Sequence, residues 1–164
     1  MQKENIHTEQ APAAVGPYVQ AVKVGDLIYT AGQGGLIPET GAMIAGGVEA
    51  QAEQTMKNLS AVLAAAGSNF ANVVKTNIYL RRITDFAAVN AVYASFFEGV
   101  YPARTTIATS ALPMGALVEI EMVALVSKAV NVPDEKQKES EAKMSKGKDK
   151  GKKEKKKKKE KKDK

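Results

Sequence analysis

The chain has 164 residues, with 24 Lys and Arg against 18 Asp and Glu, a single His and no Cys. Without cysteine there is no disulfide, thiolate metal site or thiol nucleophile, and one histidine is too few for a histidine-based triad or metal centre. The net charge of +6 is unevenly placed, because residues 1–132 carry 8 Lys and Arg against 10 Asp and Glu, whereas residues 133–164 carry 16 Lys against 8 Asp and Glu.

All the basicity therefore belongs to the last segment, and any nucleic-acid argument concerns that segment alone. About 130 residues is the usual size of one domain with one core. A domain over 1–132 and a disordered lysine-rich tail over 133–164 are expected, with Pro133 at the break in composition. Ala142 and Met144 are nearly all the tail offers for burial, too little to offset the cost of ordering it. His7, in a polar N-terminal stretch, is read as a solvated residue of a fraying end.

Along the chain, residues 18–23 read as a strand, 24–26 as a turn and 27–30 as the returning strand. Gly32, Gly34 and Gly35 then allow a sharp bend or close approach to a ligand. Pro38 to Gly41 is another turn. The spacing of Val48, Ala52, Met56, Leu59, Val62, Leu63 and Ala66 predicts a helix over 48–66, stopped by Gly67. Residues 73–80 form a β-branched-rich strand. Thr84 and Asp85 are cap candidates for a second helix reaching about Gly99, with Phe86, Val89, Tyr93, Phe96, Phe97 and Val100 on its apolar face. Strands follow over 104–108 and 117–127.

The order β-β-α-β-α-β-β implies an α+β sandwich, a mixed sheet with both helices on one face. In the last strand Val118, Ile120, Met122, Ala124 and Val126 form one apolar face for the helices. Leu117, Glu119, Glu121, Val123 and Leu125 form the other, apolar except for two acids. A sheet face open to water would be more polar, so a second copy of the chain is expected to cover it.

No apolar run approaches the ~20 residues of a membrane span. Met1 to Asn5 has neither the apolar core of a signal peptide nor the arginine of a transit peptide. A soluble, cytoplasmic protein is expected, with mitochondrion and nucleus left open. The glycines at 32–35 do not run into a helix and make no phosphate loop.

Carboxylates must then carry any acid–base chemistry. Arg104 enters a strand otherwise free of charge, in Tyr101-Pro102-Ala103-Arg104, and is expected on a strand neighbouring the one bearing Glu119. Its planar fork suits a carboxylate, and a structural ion pair to Glu119 or Glu121 is the alternative. Glu119 and Glu121, two apart, share a sheet face about 7 Å apart. One is expected to shuttle protons and the other to serve structure. Tyr18, after Gly16-Pro17, can wall a pocket or simply join the core. Asn90 can reach a ligand or face solvent.

Together these residues resemble the RidA/YjgF family of imine and enamine deaminases. The resemblance covers nearly all of residues 8–128. It rests on residues 11–18, Gly32-Gln33, Asn72 to Thr76, Asp85 to Asn90, Tyr101 to Arg104, Leu112-Pro113 and Glu119-Ile120-Glu121. It implies a chorismate-mutase-like fold, a homotrimer with sites in the clefts between subunits, and no cofactor or metal. It implies that Arg104 grips the carboxylate of a 2-imino acid and that Glu119 activates water and returns a proton. Tyr18, Gly32, Asn90 and the backbone of Thr106 would line the site. Ala31 stands where the family often has Ser, and Thr106 where it frequently has Cys. The implied reaction converts 2-iminobutanoate or 2-iminopropanoate to a 2-oxo acid and ammonia. Some relatives are described as ribonucleases or translation inhibitors, so an RNA-associated role is the alternative. Residues 146–164, with five consecutive lysines at 155–159, are the segment expected to meet RNA or another polyanion.

Overall fold

A computed structural model describes residues 2–127. The tail expected over 133–164 lies outside the described residues. Eight main elements follow in the order β1 (Lys3–Ile6), β2 (Ala21–Val24), β3 (Leu27–Thr30), α1 (Gly47–Ala65), β4 (Val73–Leu80), α2 (Phe86–Ala94), β5 (Ala103–Ala108) and β6 (Val118–Leu125). The expected α+β plan is present with one strand added in front. Lys3–Ile6 does not fray. It pairs antiparallel with β2, Ile6 is buried, and Glu4 forms an ion pair with Lys23. A polar four-residue strand has no hydrophobic period to announce it. His7, just beyond it, is exposed as expected.

The six strands form one sheet in the order β1-β2-β3-β6-β4-β5. β6 runs antiparallel to both β3 and β4, and β5 runs parallel to β4 at the edge. The strands bearing Arg104 and Glu119 are therefore not neighbours, because β4 lies between them. A parallel strand pair needs a crossover, and α2 supplies it between β4 and β5.

β6 alternates as read. Val118, Ile120, Met122 and Ala124 are buried under the helices, with Glu119, Glu121 and Val123 on the opposite face. The expected stripe on α1 is buried in full against them. Large side chains such as Leu59, Leu63, Ile28 and Ile78 are each worth about 1.5–3 kcal/mol when removed from water. Gly67 ends α1 at φ 79°, where a side chain would be strained.

α2 is shorter than expected. It stops at Ala94, where Ser95 Oγ donates to the Val92 carbonyl. The chain then tightens, with Phe96 N–H donating to Tyr93 and Phe97 N–H to Ala94. Phe97 still reaches the core, but Val100 is 84% exposed and belongs to no helical face. Asp85 precedes α2 without capping it; its carboxylate takes the Arg82 guanidinium at 3.3 Å instead.

The face of the sheet away from the helices is bare in the single chain. Tyr29 is 47%, Ile107 49% and Leu125 42% exposed.

Candidate functional site

Glu119 sits on β6 with its side chain away from the helices. A loop from Ala31 to Leu36 is tied beside it by two backbone hydrogen bonds between Gln33 and Ile120, of 2.9 and 3.0 Å. The loop is also held from below. Asn58 of α1 donates to the carbonyls of Gly34 and Leu36, at 3.1 and 2.9 Å. Gln51 accepts from Leu117 N–H at 2.8 Å. This brings Gly32 against the carboxyl of Glu119 so closely that a Cβ there would overlap Oε1. Only glycine permits that approach.

Gln20 holds the other wall. Its amide donates to the carbonyls of Thr8, Ala11 and Pro12 and accepts from Thr8 N–H at 2.7 Å. The segment thus held supplies Pro12, Ala13 and Val15 to a cavity of about 470 Å³ that also contains Tyr18, Ala31, Gly32 and Glu119. The Tyr18 hydroxyl oxygen accepts from Val15 N–H at 3.2 Å, which sets the ring at the rim. Ala31 offers only a methyl group here, while its N–H is spent on the Gln20 carbonyl.

Burial raises the proton affinity of Glu119 above the ordinary carboxylate level, and the charge of Glu121 adds to it. No hydrogen bond or ion pair among the described residues engages its carboxylate. Glu121 is held differently. Asn77 Nδ2 and Tyr79 O–H both donate to its Oε1, at 2.8 and 3.1 Å.

Arg104 faces elsewhere. It stands opposite Thr76 in the parallel β4–β5 register, and Thr76 is buried on the helix side. Glu119 stands opposite Tyr79, three residues further along β4 and on the other face. Side chains alternate, so within one chain the two groups project from opposite faces of the sheet. The guanidinium lies 5.0 Å from the Tyr93 ring centre and 5.8 Å from that of Phe86. It pairs with no carboxylate among the described residues, so the alternative ion pair to Glu119 or Glu121 is absent. Burial raises the proton affinity of the Tyr93 phenol, against opposing effects from its bond to Thr76 and from Arg104.

Asn90 lines the same hollow as Arg104, a space of about 390 Å³ with Tyr93, Tyr101 and Pro102. Thr106 follows Arg104 on the same strand face, and its hydroxyl is buried without a partner. Tyr18, Ala31, Gly32 and Glu119 are thus gathered in one place, and Asn90 and Arg104 in another. Sequence reasoning missed Gln20, Gln51, Asn58, Asn77 and Phe86. Their polarity inside otherwise apolar patterns was the available signal for the first three.

The open α+β sheet thus carries a carboxyl-lined cavity and, apart from it, a hollow that holds an arginine. The sequence matches the model of the Endoribonuclease L-PSP family over residues 8–126. The chain belongs to this family, also called RidA/YjgF. Reactive Intermediate Deaminase A, chloroplastic, of Arabidopsis thaliana is 47% identical over 124 residues, covering 76% of this chain and 66% of the relative. The 2-iminobutanoate/2-iminopropanoate deaminase of Mus musculus is 49% identical over 120 residues, covering 73% and 89%. Among solved structures, RidA of an Antarctic Psychrobacter superposes with a TM-score of 0.73 at 45% identity, covering 75% of this chain and 99% of that one.

Proposed function

We propose that the chain is a deaminase that hydrolyses 2-imino and enamine acids, such as 2-iminobutanoate and 2-iminopropanoate, to 2-oxo acids and ammonia. The observation that carries this reading is the free carboxyl of Glu119, raised in proton affinity and pressed against Gly32 in a cavity sized for a small acid. The deaminase relatives support it.

The site is completed by a second copy, in a homotrimer. The bare sheet face and the exposed edge strand β5 give the surface for association. One protomer contributes Glu119, Tyr18, Gly32 and Ala31, and its neighbour contributes Arg104, Asn90 and Thr106. The arginine fork orients the substrate carboxylate through paired hydrogen bonds. Ionised Glu119 takes a proton from water as the oxygen bonds to the imine carbon. With the imine protonated, the proton on Glu119 passes to the amino nitrogen, and as the C–N bond breaks to release ammonia Glu119 takes the C–OH proton and the carbonyl forms. An imine carbon is electrophilic already, so positioning and a proton relay suffice.

Complementation tests the reading. Arg104→Ala and Glu119→Gln proteins should each be inactive toward an imino acid freshly generated by a dehydratase. Mixed by denaturation and refolding, they should regain roughly a quarter of wild-type activity, the chance that a random interface joins two intact halves. No recovery, with hybrid oligomers present, defeats the shared site.

A second reading concerns the tail. The lysine run at 155–159 favours an RNA-associated role for residues 146–164. Truncation after Val132 should abolish salt-sensitive RNA binding and leave deamination intact. RNA binding that survives truncation would move the role to the domain.

A further inference from the structure

The deaminase reading uses one acid of the pair on β6 and leaves the other unexplained. Glu121 is the best-anchored carboxylate on the bare sheet face. Its two donors come from β4, Asn77 and Tyr79, whose side chains flank it on that face. Tyr79 is also the register partner of Glu119, so it stands between the two acids. Burial, the bond to Glu121 and the charges of both acids all raise the proton affinity of the Tyr79 phenol, which keeps it a donor.

The other groups on this face do not compensate Glu119. Lys75 stands opposite Val123, lines a small pocket beside Glu121, and donates to Thr105 Oγ1 at 2.8 Å. Tyr29 of β3 also stands opposite Val123. Thr105 and Ile107 of β5 carry no charge. The loop at 31–34 offers Ala, Gly and Gln. No cation among the described residues is paired with Glu119, and the charge that acts on it, after burial, is the negative one of Glu121.

We propose that Glu121 is a positioning residue that acts through Glu119, a negative neighbour pinned by Asn77 and Tyr79 so that the working carboxyl can accept and hold a proton. The proposal rests on the deaminase reading of the same site. In the assembled enzyme the Arg104 guanidinium of a second copy approaches Glu119 and favours its charged form. Glu121 opposes that pull, and so keeps Glu119 basic enough to take the proton from water.

The test pairs pH profiles with direct titration in the full-length oligomer. Glu121→Gln keeps the shape and removes the charge. The acid limb of its kcat/KM profile should move to lower pH. The carboxyl carbon of Glu119, followed by 13C NMR, should titrate at lower pH by the same displacement. Glu121→Asp, which keeps the charge, should leave both nearer their wild-type positions. A residue that merely braced the strand would change stability and leave both curves in place. An unmoved Glu119 titration in Glu121→Gln overturns the proposal even if activity falls. A moved titration in a protein that shows no imine hydrolysis even as wild type upholds the coupling and defeats the deaminase reading instead.

Discussion

The Glu119 cavity and the Arg104 hollow are built on different physical terms. The cavity is made of backbone brought close: a glycine loop tied to β6, an N-terminal segment tied to Gln20, and a carboxyl left without a partner. The hollow is made of aromatic side chains on a helix, with a cation laid over two rings. At Gly32 the first leaves no room for an added atom, whereas exchange of one apolar ring in the second is expected to cost less. On the proposed reading each holds half of what the chemistry needs. On the proposed deaminase reading, a single chain is therefore folded but chemically incomplete.

The largest effect should come from preventing the two regions from meeting. Ile107 stands opposite Tyr79 on the bare face of the edge strand. Ile107→Lys should leave far-UV circular dichroism unchanged, convert the oligomer to monomer on sizing chromatography, and abolish activity. A monomer with full activity would show that one chain holds the whole site.

Gly32→Ala strikes the cavity alone. The new methyl must displace the Glu119 carboxyl, and misplacement of a reacting group by about 1 Å can cost on the order of 10²-fold. Activity should fall by about that factor with the oligomer intact. Phe86→Leu strikes the hollow alone. It removes one of two rings beneath Arg104, an interaction worth about 0.5–1 kcal/mol at an exposed site. KM should rise roughly 2–5-fold with kcat nearly constant. Equal losses from the two variants would erase the distinction between a tight backbone site and a forgiving aromatic one.

The elements of the fold were readable because local patterns encode them. The α1 stripe, the alternation in β6 and the stop at Gly67 needed no tertiary knowledge. Strand order was not readable. Nothing local tells Glu119 that β4 will separate it from Arg104, because that order comes from pairing between distant segments. The division of the site had the same cause: parity along β4 sets the two groups on opposite faces, and parity becomes visible only once the register is known. Buried Gln51 and Asn58 read as breaks in a helix stripe, yet Asn58 holds the loop that carries Gly32 and Gln51 holds Leu117 at the entry to β6. Lys3–Ile6 gave no signal because its stability comes from β2 and not from its own composition.

The smallest expected effect concerns stability, and its sign separates the two regions most cleanly. Burial and then the charge of Glu121 raise the proton affinity of Glu119 in the folded chain. An acid raised in this way favours folding below its ordinary titration range, and that contribution disappears as pH rises through the folded value. At pH about 7.5 the ionised group is therefore a small liability in the single chain, and in the monomeric Ile107→Lys background, where no second Arg104 approaches it, Glu119→Gln should raise Tm. The gain should shrink toward zero at pH about 4, where wild-type Glu119 is largely protonated. In the same monomeric background Arg104→Ala should show no such pH-dependent gain, since no acid among the described residues of the single chain is paired with it. A Tm gain for Glu119→Gln that stays constant with pH would mean that packing, and not the charge, is what the native carboxyl strains.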